Sequence, residues 1–258
     1  MDRTLGLVVP AFRPDPDRLA AYVGHLERRL SPAAIRIELD APRDGVREAL
    51  AEVPATVHVV DRRRGKGAAI TDGFERLETD VLAFADADGS TPADSMADVV
   101  APVLDGRAAL AVGSRRHPAS TVTSHQTLVR RRLGDVFAVL ARWLLDVHLY
   151  DYQCGAKAID ADAWSRVRDH LYEPGFAWDV ELIATVGALD LPVAEVPIVW
   201  EDRPGSTVSP VPSSLSFART LLTARHRAKL LAEDPLHAAI DRYRATRPAL
   251  VDRSEAGR

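Results

Sequence analysis

Short apolar runs alternate with helix-like segments through the first half of the chain, and this alternation limits the folds that the chain can adopt. Such runs are typical of strands buried on both faces, and we predict strands at residues 5–10, 34–39, 56–60, 81–85 and 108–113. Apolar residues at helical spacing predict helices between them, at residues 15–30, 68–77 and 92–104. The β-α-β order predicts a Rossmann-like α/β fold, with a mostly parallel central sheet and helices on both faces.

The second half of the chain is less regular, but its predicted helices and strands are compatible with the same α/β domain. Helical spacing predicts helices at residues 126–145, 176–189 and 213–231, and apolar runs predict strands at residues 158–159 and 193–200. No internal repeat, low-complexity block or evident linker divides the chain. We therefore expect a single domain over residues 1–233, followed by a peripheral C-terminal tail at residues 234–258.

The composition is that of an ordinary globular protein, with 47% hydrophobic and 27% charged residues among 258. The formal net charge of −4 offers no bulk positive field for a nucleic acid partner. Cys154 is the only cysteine, so an internal disulfide is excluded. No apolar run approaches the roughly 20 residues of a transmembrane helix, and residues 1–4 do not begin a signal peptide. We expect a cytoplasmic protein, with a place at the cytosolic face of the membrane left open.

The turn after the predicted strand at residues 81–85 carries the clearest chemical signal. Asp86 and Asp88 stand on alternate residues before Gly89, at the end of a strand where open α/β sheets bind their ligands. Two hard oxygen donors suit Mg²⁺ or Mn²⁺, which complete their coordination with water and substrate phosphate. An acidic turn that caps the following helix explains the same residues equally well.

Polar residues also follow two of the neighbouring strands. Asp40 ends the second predicted strand, and the turn Gly65-Lys66-Gly67 follows the third. Together with the acidic pair, these residues have the composition of a nucleotide-binding site. The chain has neither G-x-x-x-x-G-K-[ST] nor a G-x-G-x-x-G turn after its first strand, so a P-loop and a dinucleotide-binding turn are excluded.

Taken in order, these segments resemble the motifs of a family 2 glycosyltransferase of GT-A fold, and in particular its dolichyl-phosphate glucosyl- and mannosyltransferase branch. Asp40 and seven motifs in residues 8–206 carry the resemblance: VVPAF (8–12), RGKG (64–67), DADGS (86–90), VGSRR (112–116), DYQCGAK (151–157), FAWDVEL (176–182) and EVPIVWEDRPGS (195–206). The resemblance implies an inverting, metal-dependent enzyme of glycosylation. It would move a hexose from a nucleoside-diphosphate sugar to a polyprenyl (dolichyl-type) phosphate and be associated with a membrane.

The resemblance also implies roles on the donor side of the site. Asp88 would bind the divalent metal, with Asp86 assisting at the metal or the ribose. The residues implied for binding the donor nucleotide are Pro10, Ala11 and Phe12 at the base, Asp40 at the nucleoside, and Lys66 and Asp86 beside the nucleotide. The family usually has two consecutive acidic residues followed by Gly-Ser at this place, whereas this chain has Leu39-Asp40-Ala41-Pro42. The resemblance therefore does not decide whether the donor nucleotide is UDP or GDP.

On the acceptor side, a phosphate monoester is already largely ionised at neutral pH. Such a nucleophile needs positioning and neutralisation of its charge rather than a strong base. The residues implied near the acceptor or its phosphate are Arg115, Arg131, Arg132, Gln153, Lys157, Arg203 and Ser206, with Arg203 also counted as catalytic. Asp179 matches the acidic pair of the family and would be catalytic or orient the sugar, with a charge at a helix N-terminus as the alternative.

Several alternatives stay open at this point. The acceptor could be a saccharide hydroxyl, or the chain could be a non-catalytic nucleotide-sugar binder of a glycosylation complex. Cys154 has no evident histidine partner, which favours packing over chemistry. The predicted helix at residues 213–231 is amphipathic and basic, which suits packing on its own sheet or lying on an anionic membrane surface.

Overall fold

The computed structural model describes the backbone of residues 3–123, 128–201, 214–241 and 248–255, and the side chains of these ranges outside 128–133, 214–218 and 254–255. The strands are β1 Leu5–Phe12, β2 Ala34–Asp40, β3 Thr56–Val60, β4 Val81–Ala85, β5 Leu110–Ser114, β6 Thr121–Val122, β7 Ala156–Asp160, β8 Val193–Pro197 and β9 Val199–Trp200. The helices are α1 Pro16–Leu30, α2 Val46–Ala49, α3 Lys66–Phe74, α4 Ala93–Leu104, α5 Leu128–Leu144, α6 Ala161–Val167, α7 Trp178–Ala188, α8 Ser214–Leu231, α9 Pro235–Asp241 and α10 Leu250–Glu255.

Seven strands form one twisted sheet in the order β3-β2-β1-β4-β7-β5-β8. Every neighbouring pair is parallel except those of β7, which runs antiparallel to both β4 and β5. The carboxyl ends of β1, β2 and β4 therefore meet at one edge of the sheet. Because β7 is reversed, its first residue lies at that same edge, where Ala156 pairs with Ala85. This arrangement confirms the predicted α/β fold with a mostly parallel sheet.

Both faces of the sheet are buried at its central strands, as the continuous apolar runs of β1, β4 and β5 predict. In β4, Leu82 and Phe84 point into one hydrophobic core, while Val81, Ala83 and Ala85 point into the other. The first core packs against α3, α5, α7 and α8, and the second against α1 and α4. The helices therefore cover the sheet on both sides, in a single domain.

Helix α1 shows how local sequence sets the position of one wall of the site. Asp15 caps the helix by accepting the backbone N–H of Arg18 at 3.1 Å, and Pro16 supplies the fixed φ that suits a first helical position. The buried face of α1 includes Tyr22, whose hydroxyl donates to the carbonyl of Thr91 at 2.7 Å. The helix thus holds the segment that follows Asp88.

Some elements differ from their prediction. The strand predicted at residues 193–200 is divided at Ile198 into β8 and β9, and β9 pairs with β6, a short strand that was not predicted. The short strand predicted at residues 158–159 spans Ala156–Asp160, and α2, α6, α9 and α10 were missed. Within the described ranges, every helix falls short of the length and apolarity that a bilayer span requires.

The C-terminal tail is not wholly peripheral, and the prediction for residues 234–258 is corrected in this respect. Ala249, Leu250 and Val251 are buried, and Leu250 belongs to the core that also contains Leu171. The backbone N–H of Leu250 donates to the carbonyl of Leu171 at 2.8 Å. The apolar triplet ALV supplies enough surface to dock α10, although it is too short to show a helical period.

Candidate functional site

A cavity of about 230 Å³ opens at the edge where β1, β2 and β4 end. The structure brings all the residues predicted for the donor and the metal to its wall: Pro10, Ala11, Phe12, Asp40, Lys66, Asp86 and Asp88. Phe176, from the segment before α7, also lines the cavity. One concave site therefore collects side chains from separate stretches of the chain.

The wall beside Phe12 is aromatic and cationic. The Arg63 guanidinium lies 4.3 Å from the centre of the Phe12 ring, and that of Arg13 lies 5.3 Å away. Stacked guanidinium and aromatic planes suit a planar, electron-rich ligand such as a nucleobase. Sequence reasoning missed Arg63, although the run Arg62-Arg63-Arg64 before Gly65 was a usable signal.

Asp40 lines the cavity, but its carboxylate also fixes the turn that leads into α3. It accepts the backbone N–H groups of Arg64 at 2.6 Å and Gly65 at 3.3 Å, and the Arg64 Nε at 2.7 Å. Asp40 is almost completely buried. Its geometry thus positions the turn that carries Lys66, in addition to any contact with a nucleoside.

Arg64 is the centre of a buried charge network behind that turn. Its guanidinium donates to Asp72 at 2.7 Å and Glu38 at 3.0 Å, and His58 Nδ1 lies 2.7 Å from Glu38. Burial opposes the charge of Arg64, yet Asp40 and Glu38 outweigh it and raise its pKa. Ligand atoms of Glu38, His58 and Asp72 lie within 4.8 Å of one another. Because the Arg64 cation already fills this cluster, it suits anchoring of the turn better than binding of a metal.

The acidic pair after β4 has the composition of a metal site. The backbone N–H of Asp86 donates to the Gly155 carbonyl at 2.9 Å, while Asp88 accepts the N–H of Ser90 at 2.9 Å. Burial raises the pKa of Asp86; the charge of Lys66 opposes this rise, and Asp88 adds to it. Two carboxylates that repel each other at the wall of a cavity are the donors that Mg²⁺ and Mn²⁺ prefer. Asp86 and Asp88 therefore fit a divalent ion.

Gly155 explains how Asp86 is accommodated. A Cβ atom at residue 155 would lie 1.8 Å from Asp86 Oδ2, closer than any real contact. The DYQCGAK segment therefore needs glycine at residue 155 so that β7 and the acidic turn can approach each other. The predicted acceptor segment is in this way in direct contact with the predicted metal site.

A chain of alternating charges runs inward from Asp86. Lys66 Nζ lies 2.9 Å from Asp86 Oδ1 and 3.1 Å from Asp179 Oδ2, and Lys157 Nζ lies 2.6 Å from Asp179 Oδ1. Burial would raise the pKa of Asp179, but the two lysines outweigh it and lower the pKa. The charges of Asp179 and Asp86 likewise overcome burial and raise the pKa of Lys66. Asp179 is thus an anion behind Lys66, poorly suited to accept a proton.

Arg115 is held by a buried partner that sequence reasoning missed. Its Nε and Nη2 donate to Asp151 at 2.6 and 3.0 Å in a bidentate pair. Burial opposes both charges, but the pairing prevails, so that the pKa of Asp151 is lowered and that of Arg115 is raised. Asp151 also accepts the N–H of Gln153 at 3.0 Å. The first residue of DYQCGAK therefore orients both Arg115 and the segment that contains Gln153.

The remaining predicted residues differ in how far the structure describes them. Arg203 and Ser206 lie outside the described residues, and Arg131 and Arg132 lie in the part of α5 whose side chains are outside the described set. Cys154 is completely buried, and burial raises the pKa of its thiol to about 12. The expectation that Cys154 serves packing is confirmed.

Comparison with known proteins gives a consistent result. The model of the family described as Glycosyl transferase family 2 matches residues 7–154. Proteins named dolichyl-phosphate beta-glucosyltransferase from Mus musculus and Homo sapiens are each 27% identical over 245 residues, which covers 87% of this chain and 76% of theirs. Glycosyltransferase AglD of Haloferax volcanii is 29% identical over 162 residues, but these make up only 26% of its length.

Solved structures match the fold. Glucosyl-3-phosphoglycerate synthase from Mycobacterium tuberculosis, crystallised with Mn²⁺, UDP and glucosyl-3-phosphoglycerate, has a TM-score of 0.60 at 16% identity, over 90% of this chain and 81% of its own. Mannosyl-3-phosphoglycerate synthase from Rubrobacter xylanophilus has a TM-score of 0.62 at 15% identity, over 95% and 77%. At such low identity the likeness establishes a shared fold.

Proposed function

The chain belongs to glycosyl transferase family 2, and from this premise we propose that it moves a hexose from a nucleoside-diphosphate sugar to a polyprenyl phosphate of the dolichyl type. The observation that carries the proposal is the acidic pair Asp86–Asp88 at a cavity that also contains Lys66 and the Phe12–Arg63 stack. The likeness to dolichyl-phosphate beta-glucosyltransferases, which covers most of both chains, supports this acceptor.

On the donor side, each group has a physical task. The Phe12–Arg63 stack would hold the nucleobase, with the backbone of Pro10 and Ala11 beside it and Asp40 near the nucleoside. Asp88 and Asp86 would hold Mg²⁺ or Mn²⁺, which when bound neutralises charge on the leaving diphosphate. Lys66, fixed between Asp86 and Asp179, places a compact positive charge at the same wall.

On the acceptor side, a phosphate oxygen attacks the anomeric carbon while the bond from that carbon to the donor's diphosphate oxygen breaks. The nucleoside diphosphate leaves in this single displacement, which inverts the configuration. The nucleophile is already ionised, so the residues nearby need only orient it and offset its charge. Arg115, Gln153 and Lys157 are the described residues proposed for this task, together with Arg131, Arg132, Arg203 and Ser206. Asp179 orients Lys66 and Lys157 in this proposal.

The state of Asp179 favours a phosphate acceptor over a saccharide hydroxyl. A hydroxyl acceptor needs a base to take its proton, whereas Asp179 is held by two lysines that lower its pKa. We place the reaction at a membrane surface because a polyprenyl phosphate resides in a bilayer, and the cytosolic face of that membrane stays a prediction from the sequence.

The test is a transfer assay with the full chain. Enzyme, Mg²⁺ or Mn²⁺, dolichyl phosphate and a panel of nucleotide sugars should yield a lipid-linked sugar, and EDTA should abolish the product. Asp88→Ala should lower the rate by about 100-fold or more, as expected when a group that stabilises developing charge is lost. Asp94→Ala is the matched control, because Asp94 is an exposed aspartate on α4 that pairs only weakly with solvent-exposed Arg29.

Three outcomes would overturn the proposal. Undiminished transfer by Asp88→Ala would remove the metal assignment. Transfer to a saccharide hydroxyl alone would replace the acceptor. Donor binding in calorimetry, without turnover on any polyprenyl phosphate, would indicate a non-catalytic binder.

A further inference from the structure

Helix α5 is apolar on two opposite faces. One face, which includes Phe137, Ala138 and Ala141, is buried against the domain. The other presents a stripe of large apolar side chains to solvent: Val136, Val139, Leu140 and Trp143, with exposed fractions of 58%, 55%, 44% and 87%. We call these four residues the α5 stripe. Their spacing of three, four and seven places them on one side of the helix.

Such a stripe is unusual on the surface of a globular protein. Single exposed apolar residues are common, but four on consecutive turns form a contiguous patch of the kind that marks a binding surface. A helix that is apolar on both sides is normally covered on both sides. We therefore expect the α5 stripe to be covered by a binding partner.

The charge around the stripe indicates which occupant fits. Helices α5 and α8 pack together, with Arg225 of α8 donating to the carbonyl of Leu144. Each of the two helices has four basic residues, and together they have one acidic residue, Asp135, in a chain of net charge −4. Asp135 is itself paired with Arg116. On α8, Arg227 pairs with Glu181 and Lys229 pairs with Asp146, so the excess of positive charge lies on the arginines of α5 and on Arg219 and Arg225 of α8. This excess, in an otherwise acidic chain, complements anionic lipid headgroups.

The residues at the end of the stripe suit an interface between water and lipid. Trp143 is the most exposed large apolar residue of the described chain and adjoins Arg142. Tryptophan is enriched at the headgroup level of bilayers. Leu222 of α8, also exposed, adds to the apolar surface of the layer.

The layer is joined to the candidate site by a direct contact. Arg116 follows Arg115 at the end of β5, and its ion pair with Asp135 ties α5 to the edge of the sheet that carries the cavity. A surface lying on the bilayer at this place would bring the headgroup region to the acceptor side of the site.

We infer that the α5 stripe docks the protein on an anionic lipid bilayer, so that a lipid-borne phosphate reaches the site without leaving the membrane. The purpose of this docking rests on the proposed function; the surface itself does not. The sequence analysis considered the helix at residues 213–231, now α8, for contact with the membrane, whereas this inference assigns the contact to α5. In α8, Leu221, Ala224 and Ala228 are buried in the core, as expected of a helix that packs on its own domain.

The test is flotation of the full chain with two kinds of vesicle, one of phosphatidylcholine alone and one with roughly one third phosphatidylserine. The wild type should float with the anionic vesicles, and less as salt is raised. The double variant Val139→Ser, Trp143→Ser should lose binding by about tenfold or more, because two apolar side chains no longer enter the interface. Leu236→Ser is the matched control, since Leu236 is an apolar residue of α9 that is 67% exposed; it should bind as the wild type does.

Equal binding by the double variant and the wild type would overturn the inference, as would equal binding to both kinds of vesicle. Light scattering tests whether a second copy of the chain covers the stripe instead of a bilayer. A wild-type dimer that the double variant turns into a monomer, with no flotation, would assign the stripe to a second copy of the chain. Thermal melts of the two variants should match the wild type, because the altered side chains are exposed.

The docking surface and the proposed function can fail separately. The double variant should keep wild-type turnover on a short-chain, water-soluble polyprenyl phosphate and lose it on a long-chain acceptor in vesicles. Vesicle binding without turnover on any acceptor would reject the function and leave the docking surface. Turnover on the short-chain acceptor without vesicle binding would support the function and reject the docking surface.

Discussion

At the scale of single residues, the charged groups around the site are fixed in pairs, and the thiol among them is inert. Cys154 lies near Arg115 and Lys157, whose positive charges would favour a thiolate. Complete burial has the larger effect and raises the pKa of the thiol to about 12. A group that stays protonated and enclosed cannot act as a nucleophile.

We therefore expect Cys154 to resist thiol reagents as long as the protein is folded. In Ellman's assay at pH 8, the native chain should release almost no thionitrobenzoate, whereas the chain unfolded in guanidinium should release one equivalent. Fast reaction of the native chain would show that the segment around Cys154 opens readily or that the thiol is accessible.

The sequence was sufficient to predict part of the cavity lining, including the acidic pair and Lys66, but neither Arg63 nor the way in which the lining residues are held. Asp86, Asp88 and Lys66 follow predicted parallel strands, and the ends of such strands meet at one edge of the sheet, so their convergence was predictable. The partners of Arg115 and Asp40 were not, because Asp151 and Arg64 lie 36 and 24 residues away along the chain. A pairing at that separation leaves no local pattern.

At the scale of elements, the turn between β3 and α3 depends on the backbone freedom of Gly65. This residue has φ 102° and ψ 155°, a region that is essentially restricted to glycine. A Cβ atom there would also lie 2.4 Å from the carbonyl oxygen of Pro174. The turn that carries Lys66 is therefore limited by conformation and by close contact with the segment before α7.

Comparison of Gly65→Ala with Gly45→Ala separates these two effects. Gly45 also has positive φ, at 79°, but nothing lies within 4 Å of the point that a Cβ atom would occupy there. Gly45→Ala should cost about 1–2 kcal/mol of unfolding free energy from backbone strain alone. Gly65→Ala should cost about 2–5 kcal/mol, since overpacking adds to the strain. Urea unfolding of both variants measures the difference, and equal losses would mean that the contact with Pro174 is relieved without cost.

The strands were easier to predict than the shorter helices. Continuous apolar runs mark β1, β4 and β5 because these strands are almost completely buried, whereas β2 alternates apolar and polar residues and β3 is a partly exposed edge strand. Helix α6 spans Ala161–Val167 only, too few residues to establish a period of 3.6. The reversed direction of β7 was also beyond local reasoning, since a short apolar run is the same in both directions.

At the scale of the whole molecule, two cores lie on opposite faces of one sheet, and the end of the described chain closes one of them. Leu250 of α10 is buried in the core that also includes Leu171 and Trp178. The segment predicted to be peripheral thus contributes to the stability of the domain.

Leu250→Ala should lower the free energy of unfolding by about 2–4 kcal/mol, from lost burial and the cavity left behind. Leu236→Ala serves as the control, because Leu236 is 67% exposed and its loss should change stability by about 0.5 kcal/mol or less. Chemical denaturation of both variants gives the comparison. Equal stability of the two would show that α10 is detached from the core in solution.

The reversed strand β7 has a consequence for the order in which the protein can fold. Strands β4 and β5 are close in the chain, yet β7 lies between them and pairs with both. A nascent chain that ends after β5 would leave two open strand edges, which are prone to wrong pairing. The gap is filled only when residues 156–160 emerge, a late and non-local step of the kind that slows folding. Because the Gly155 carbonyl then accepts the backbone N–H of Asp86, the strand that fills the gap in the sheet also fixes the acidic turn of the candidate site, and chains that end before β7 should lack both features.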